Sequence, residues 1–229
     1  MHRRSIELVH DERLVMQLCG IAAMVTALTT FLLWLLPKFY PAFEQYATAP
    51  ELHDNIFYIS RQWVNLFHIP LAIAGYFGLA YTLREREPAK VCLGMLWFLI
   101  WGIVEMMGVS GIIFAVNRNW RAKFQRADTI GKEMLQSSIS EYFAIWDGMF
   151  FVLLISFLLG TTFFGWATWK GNGLERWLSY FFWMAVPLTL LIIFSRYFGI
   201  NWAGGIVGII YPILQPISRF VLGLHLIKR

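Results

Sequence analysis

Six long apolar runs, separated by short polar stretches, make up most of this chain. They cover residues 14–36, 63–83, 91–116, 142–169, 177–198 and 202–224. A helix needs about 20 consecutive apolar residues to cross a bilayer, and every run is near that length. They are too long and too continuously apolar to be membrane strands, and a backbone in lipid must satisfy its own hydrogen bonds, so each run is expected to be a helix. The expected fold is all-α: a polytopic bundle of six membrane-spanning helices, both termini on the same side, forming a single integral membrane domain over residues 1–229.

The connections alternate in length. Two are short turns: 84–90, which is charged, and 170–176, whose glycines suit a turn. Two are long loops, 37–62 and 117–141, at the opposite end of the bundle. In the second long loop, Trp120, Phe124, Ala127, Met134 and Leu135 roughly follow helical spacing with basic residues between them. That pattern fits a short amphipathic helix on the bilayer surface, with an irregular solvated loop as the equal alternative. The last run contains Gly204 and Gly208 at a small-xxx-small spacing that allows close helix approach, followed by Pro212 and Pro216. Pro187 interrupts the fifth run. Such breaks mark either kinked packing helices or the discontinuous helices of transport sites.

Composition agrees with lipid-facing walls. Only 14% of residues are charged and 58% are hydrophobic, against about 25% charged in soluble domains. The 11 Trp and 9 Tyr suit membrane interfaces. The net charge of +5 reads as juxtamembrane cations, because no basic stripe or motif indicates nucleic acid. Of the 19 Lys and Arg, eleven fall on the side of the termini, with Arg219, Lys228 and Arg229 counted there. This bias places both ends in the cytoplasm, although Arg118, Arg121, Lys123, Arg126 and Lys132 crowd the opposite side. Cys19 and Cys92 begin runs on one side of the bilayer, where a reducing cytoplasm would keep them free. No zinc or haem-attachment spacing appears, and no cofactor is expected. The apolar run after the N-terminus is too long for a signal peptide and is expected to be retained.

One acid, Glu105, interrupts the third run. An intramembrane carboxylate is costly unless protonated, paired or wetted, and is a functional candidate by default. On the second run Arg61, Asn65, His68, Ala72 and Gly75 share a helical face, which leads from polar to small residues as an inward face would. Asp147 shares a face with Ser140 and Ala144 on the fourth run. The direction of each run puts His68, Asp147 and, deeper, Glu105 in the half of the membrane under the long loops, with Glu51, His53 and Asp54 above. The candidate ligand- or proton-binding site is therefore Glu105, His68, Asp147 and Asn65, in a polar pocket. No catalytic or metal-ligating residue is assigned, because HExxH and Gly-x-Ser-x-Gly motifs are absent. Each candidate also has a structural role open to it: Glu105 bonded to a carbonyl or to Trp101, His68 to a carbonyl, Asp147 capping its helix or pairing with an arginine. The expected function is small-ligand, lipid or proton-coupled binding or transport, or service as an accessory subunit. The alternatives are an intramembrane enzyme using Glu105, His68 and Asp147, and a structural subunit. Expected partners are membrane lipids, a small hydrophobic ligand, and other subunits through Gly204 and Gly208.

The order of features also has a likeness. A lone acid in Trp101-Gly102-Ile103-Val104-Glu105 is followed by a Gly-punctuated helix (Gly160, Gly165). The entry Leu174-Glu175-Arg176-Trp177-Leu178 comes next, and a last helix ends in Leu222-Gly223-Leu224 and basic residues. The chain resembles a bacterial six-helix integral membrane family catalogued as a domain of unknown function. It departs from that pattern at Glu175, where the family has proline. The resemblance implies the six-helix architecture and a bacterial inner membrane, and carries no activity.

Overall fold

A computed structural model describes residues 2–40, 49–200 and 204–229. The six expected helices are present: α1 (His2–Leu35), α2 (Ile56–Leu83), α3 (Pro88–Gly111), α4 (Thr129–Thr168), α5 (Leu174–Phe198) and α6 (Gly204–Ile227). No strand occurs among the described residues, and six helices are long and apolar enough to cross a membrane. The start of the last predicted run, at Trp202, lies outside the described residues. Helix starts follow local chemistry. Asn55 Oδ1 accepts from the Tyr58 N–H at 3.0 Å to cap α2, Asp128 Oδ1 accepts from the Gly131 N–H at 2.9 Å to cap α4, and Pro88 opens α3. Gly173 and Gly199 bound α5 with φ of 58° and 68°, a left-handed backbone that glycine adopts without steric cost.

The segment 117–141 is neither a separate surface helix nor an irregular loop. After Gly111 the third helix continues without a break through a wide-turned π segment, Ile112–Arg121, and a last turn, Ala122–Phe124; α4 begins five residues later. The two form one helical hairpin. At a rise of about 1.5 Å per residue, the 40 residues of α4 span about 60 Å, twice a bilayer core of about 30 Å. Pro212 and Pro216 leave α6 continuous, so the broken-helix reading fails there.

Each helix packs on its neighbours in sequence, and α6 returns to pack against α1, closing a ring. Two kinds of contact hold it. On one side, small residues let α1, α2 and α6 approach closely. Gly223 faces the Gly20 carbonyl, Gly75 faces Ala23, and Gly78 sits against the side chain of Cys19. Cys92 is exposed and both thiols are free. Inside the ring is an aromatic cluster. Tyr76 of α2 stacks flat on Phe98 of α3 with centroids 3.9 Å apart, and Phe157 and Phe164 of α4 and Phe182 of α5 pack around them. The outer surface is apolar, with Leu18, Leu28, Phe67, Ile103, Met107 and Ile145 all more than half exposed. That inverts the soluble pattern and matches lipid contact. Gly208, like Gly205, meets nothing among the described residues, and the surroundings of Gly204 lie outside them.

Helix association in lipid relies on packing rather than on transfer from water, so the α1–α6 seam should be intolerant of added volume. A Cβ on Gly223 would lie 2.7 Å from the Gly20 carbonyl oxygen, a backbone atom that cannot rotate away. Gly223→Ala should destabilise by about 1–3 kcal/mol. Gly148, which also faces open space, should tolerate alanine or gain up to about 1 kcal/mol. Unfolding midpoints of the two variants in detergent check this contrast.

Candidate functional site: a buried polar line inside the ring

Inside the ring, polar side chains line up from the long-loop end towards the aromatic cluster. Asn65 and Glu105 meet across α2 and α3, with Asn65 Nδ2 donating to Glu105 Oε1 at 3.1 Å. One turn further along α2, His68 is buried and its Nδ1 lies 2.6 Å from the Thr29 hydroxyl of α1. Ala72 and Gly75 continue this face, buried against the ring interior. The inward face expected on the second run is thus the one that packs.

The residue that completes the line was counted above with the terminal cations. Arg219 of α6 is only 6% exposed, and its Nε and Nη1 have no hydrogen-bond partner among the described residues. Its guanidinium carbon sits 6.0 Å from the centre of the Tyr76 ring. Its charge is close enough to act on Glu105, His68, Tyr76 and Tyr211. Nine residues before Lys228, Arg219 is about 13 Å inside the end of the helix. It shares a face with Tyr211 and Gln215 at i, i+4 spacing, and Gln215 is buried as well. That spacing was the available signal. Arginine cannot shed its proton, and a buried charge without compensation costs several kcal/mol.

The structure does not bring Asp147 into this line. Its carboxylate is held by Arg196 of α5, with Oδ1 accepting from Nε at 2.8 Å and from Nη2 at 2.5 Å, and Tyr197 donates to its carbonyl at 2.8 Å. Ser140 and Ala144 on the same face are exposed. The phase of α4 is set by its other side, where Trp146 covers Gly108 and the Tyr142 hydroxyl donates to the Gly108 carbonyl at 2.5 Å. Trp101 packs edge-on to Phe98 and Phe157, so the hydrogen bond to Glu105 comes from Asn65.

A hollow of about 310 Å³ lies at the long-loop end, but neither Glu105, His68 nor Asp147 lines it. Its walls include His53, Asp54, Gln62, Asn117 and Arg118. Gln62 stands one turn above Asn65 on α2 and is 4% exposed. His53 Nδ1 lies 2.8 Å from the Asn117 carbonyl oxygen, and Arg121, fully buried, donates to Asn117 Oδ1 at 3.4 Å. The hollow therefore comes within one helical turn of Asn65, through Gln62, and does not contain the polar line. Among the described residues no three His, Cys, Asp or Glu side chains gather as metal ligands would.

At the short-turn end Glu175 is 3% exposed and accepts from both Arg86 and Arg229. It ties the two short turns to the C-terminal residue.

Fold and interior together define a multi-pass helical membrane protein with a charged line inside its helix ring. No protein-family model matches the chain, and neither a curated protein nor a solved structure is significantly similar to it.

The two carboxylates should respond differently to substitution. Asn65→Leu leaves Glu105 without its donor in lipid and should cost about 1–3 kcal/mol. Asp147→Asn weakens a half-exposed pair and should cost no more than about 1 kcal/mol. Denaturant titration of both variants measures the difference.

Proposed function

We propose that this protein binds a small amphipathic anion inside its helix ring and takes up a proton with it. The observation that carries this reading is Arg219, a buried guanidinium with two donors unpartnered among the described residues. An anionic headgroup of the ligand accepts from those donors, and its apolar part lies against the aromatic cluster. Charge balance supplies the coupling. Without ligand, an ionised Glu105 offsets Arg219. When an anion arrives, two negative charges would face one cation in a medium that penalises net charge, so Glu105 takes a proton. Asn65 still donates to its carbonyl oxygen in that state. The hollow lined by Gln62, His53 and Arg118 is the route of entry. Orientation with both ends in the cytoplasm, and residence in a bacterial inner membrane, belong to the same proposal and rest on the cation bias and on the resemblance at Trp101–Glu105 and Arg176–Leu178.

Proton uptake on binding makes affinity rise as pH falls, by about tenfold per pH unit while Glu105 is ionised in the free protein. Calorimetry of the detergent-purified protein with benzoate, decanoate and inorganic phosphate, between about pH 5 and 8, tests this. At least one probe should bind with that slope. Glu105→Gln, which mimics the protonated acid, should bind without pH dependence, whereas His68→Gln should keep the slope. Arg219→Gln should lose binding. The proposal fails when no probe binds, or when Arg219→Gln binds like the parent chain.

A further inference from the structure

A wide groove lies away from the polar line, on the outer surface where α4 ends and α5 begins. It measures about 850 Å³ and is walled by Trp166, Trp169, Trp177, Tyr180, Trp183 and Met184, with Pro187 at its deep end. Small-molecule sites commonly occupy about 300–1,000 Å³. Trp166 and Trp177 are more than half exposed. The groove runs from the short turn at 169–174 along the first turns of α5, so it starts at the depth of lipid headgroups and leads into the hydrocarbon layer.

Its rim is cationic. The guanidinium of Arg176 lies over Trp169, 4.4 Å from the ring centre, and 5.3 Å from that of Tyr180. It also donates to the Trp169 carbonyl, and from Nε to the Tyr180 hydroxyl at 3.1 Å. These contacts hold the charge at the mouth of the groove. The cations of the first short turn are each engaged by a carboxylate: Arg84 by Glu12 and Glu85, Arg86 by Glu175, Lys90 by Glu87. Those of the second, Lys170 and Arg176, are in no ion pair among the described residues. The acid next to Arg176, Glu175, is buried and committed to Arg86 and Arg229.

We propose that this groove is a binding site for one anionic phospholipid, its acyl chain against the tryptophans and its phosphate at Arg176 and Lys170. An apolar trough on a lipid-facing surface is filled by whatever the membrane supplies, and Arg176 at its mouth, with Lys170 in the adjoining turn, selects the headgroup. A basic side chain near the surface favours an anionic lipid by about fivefold. Arg176 adds planar donors suited to phosphate.

The groove holds four of the chain's 11 tryptophans, so part of the fluorescence reports on it, and the change between parent and variants isolates that part. The protein is reconstituted in vesicles containing either phosphatidylglycerol or phosphatidylcholine with brominated chains, and tryptophan quenching is titrated. Quenching should reach half-maximum at an at least fivefold lower fraction of the brominated anionic lipid. Lys170→Gln with Arg176→Gln should remove that preference and leave quenching by phosphatidylcholine unchanged. Trp183→Ala should reduce quenching by both lipids. Equal quenching by the two lipids in the parent chain means bulk lipid contact only, and overturns the proposal. So does a preference that survives the double variant, or a Trp183→Cys chain, in a Cys92→Ser background, that crosslinks to a second copy.

Discussion

A guanidinium keeps its proton, and hydrocarbon cannot solvate its charge. Arg219 is therefore the constraint around which the rest of the interior is arranged. Its helix packs on α1 through the contact of Gly223 with Gly20, and its side chain is buried. The groups facing it come from three other helices: Glu105 from α3, His68 and Tyr76 from α2, and Thr29 through its contact with His68. Asn65 in turn holds the Glu105 carboxylate in place. A bundle of six apolar helices could pack in many registers. A line of polar groups that must meet one another inside it removes most of them, a specifying role that buried polar groups are known to serve in some proteins.

The fold was largely legible in the sequence, because the length of an apolar run and the backbone's need for internal hydrogen bonds leave few alternatives. The inward face of α2 was legible for a second reason. Polar and small residues recur at Asn65, His68, Ala72 and Gly75 with helical period, and such a mixture does not face lipid. Asp147 was misjudged because depth was known and phase was not. The side of α4 that turns inward is set by Trp146 and Tyr142 covering Gly108 and Gly111, a packing choice between helices that no single-helix pattern encodes. Arg219 was missed because a long basic side chain near a span's end usually reaches back to the interface. What distinguishes it is company on its own face, Tyr211 and Gln215. The π segment after Gly111 escaped notice because its residues were read with the period of an ordinary helix.

The two ends of the ring are built differently. At the short-turn end, carboxylates and guanidiniums pair across the turns, and buried Glu175 joins three chain segments there. At the long-loop end the α3–α4 hairpin extends well past the length a bilayer requires. Beneath it His53, Asn117 and Arg118 line a hollow, with His53 bonded to Asn117. From that end inward along α2, Gln62 is followed by Asn65, which meets Glu105, and then by Tyr76 stacked on Phe98.

Ring closure in chain order also bears on biogenesis. During synthesis α1 to α5 can pack pairwise as they emerge, each beside its predecessor, but the gap in the circle is filled only when α6 follows them. Until α6 has left the ribosome, the face of α1 around Gly20 has no helix to receive, and Glu105 has no cation to balance it. The nascent chain thus holds an open, polar-seamed arc in the membrane, which is the form an insertion chaperone would have to shield.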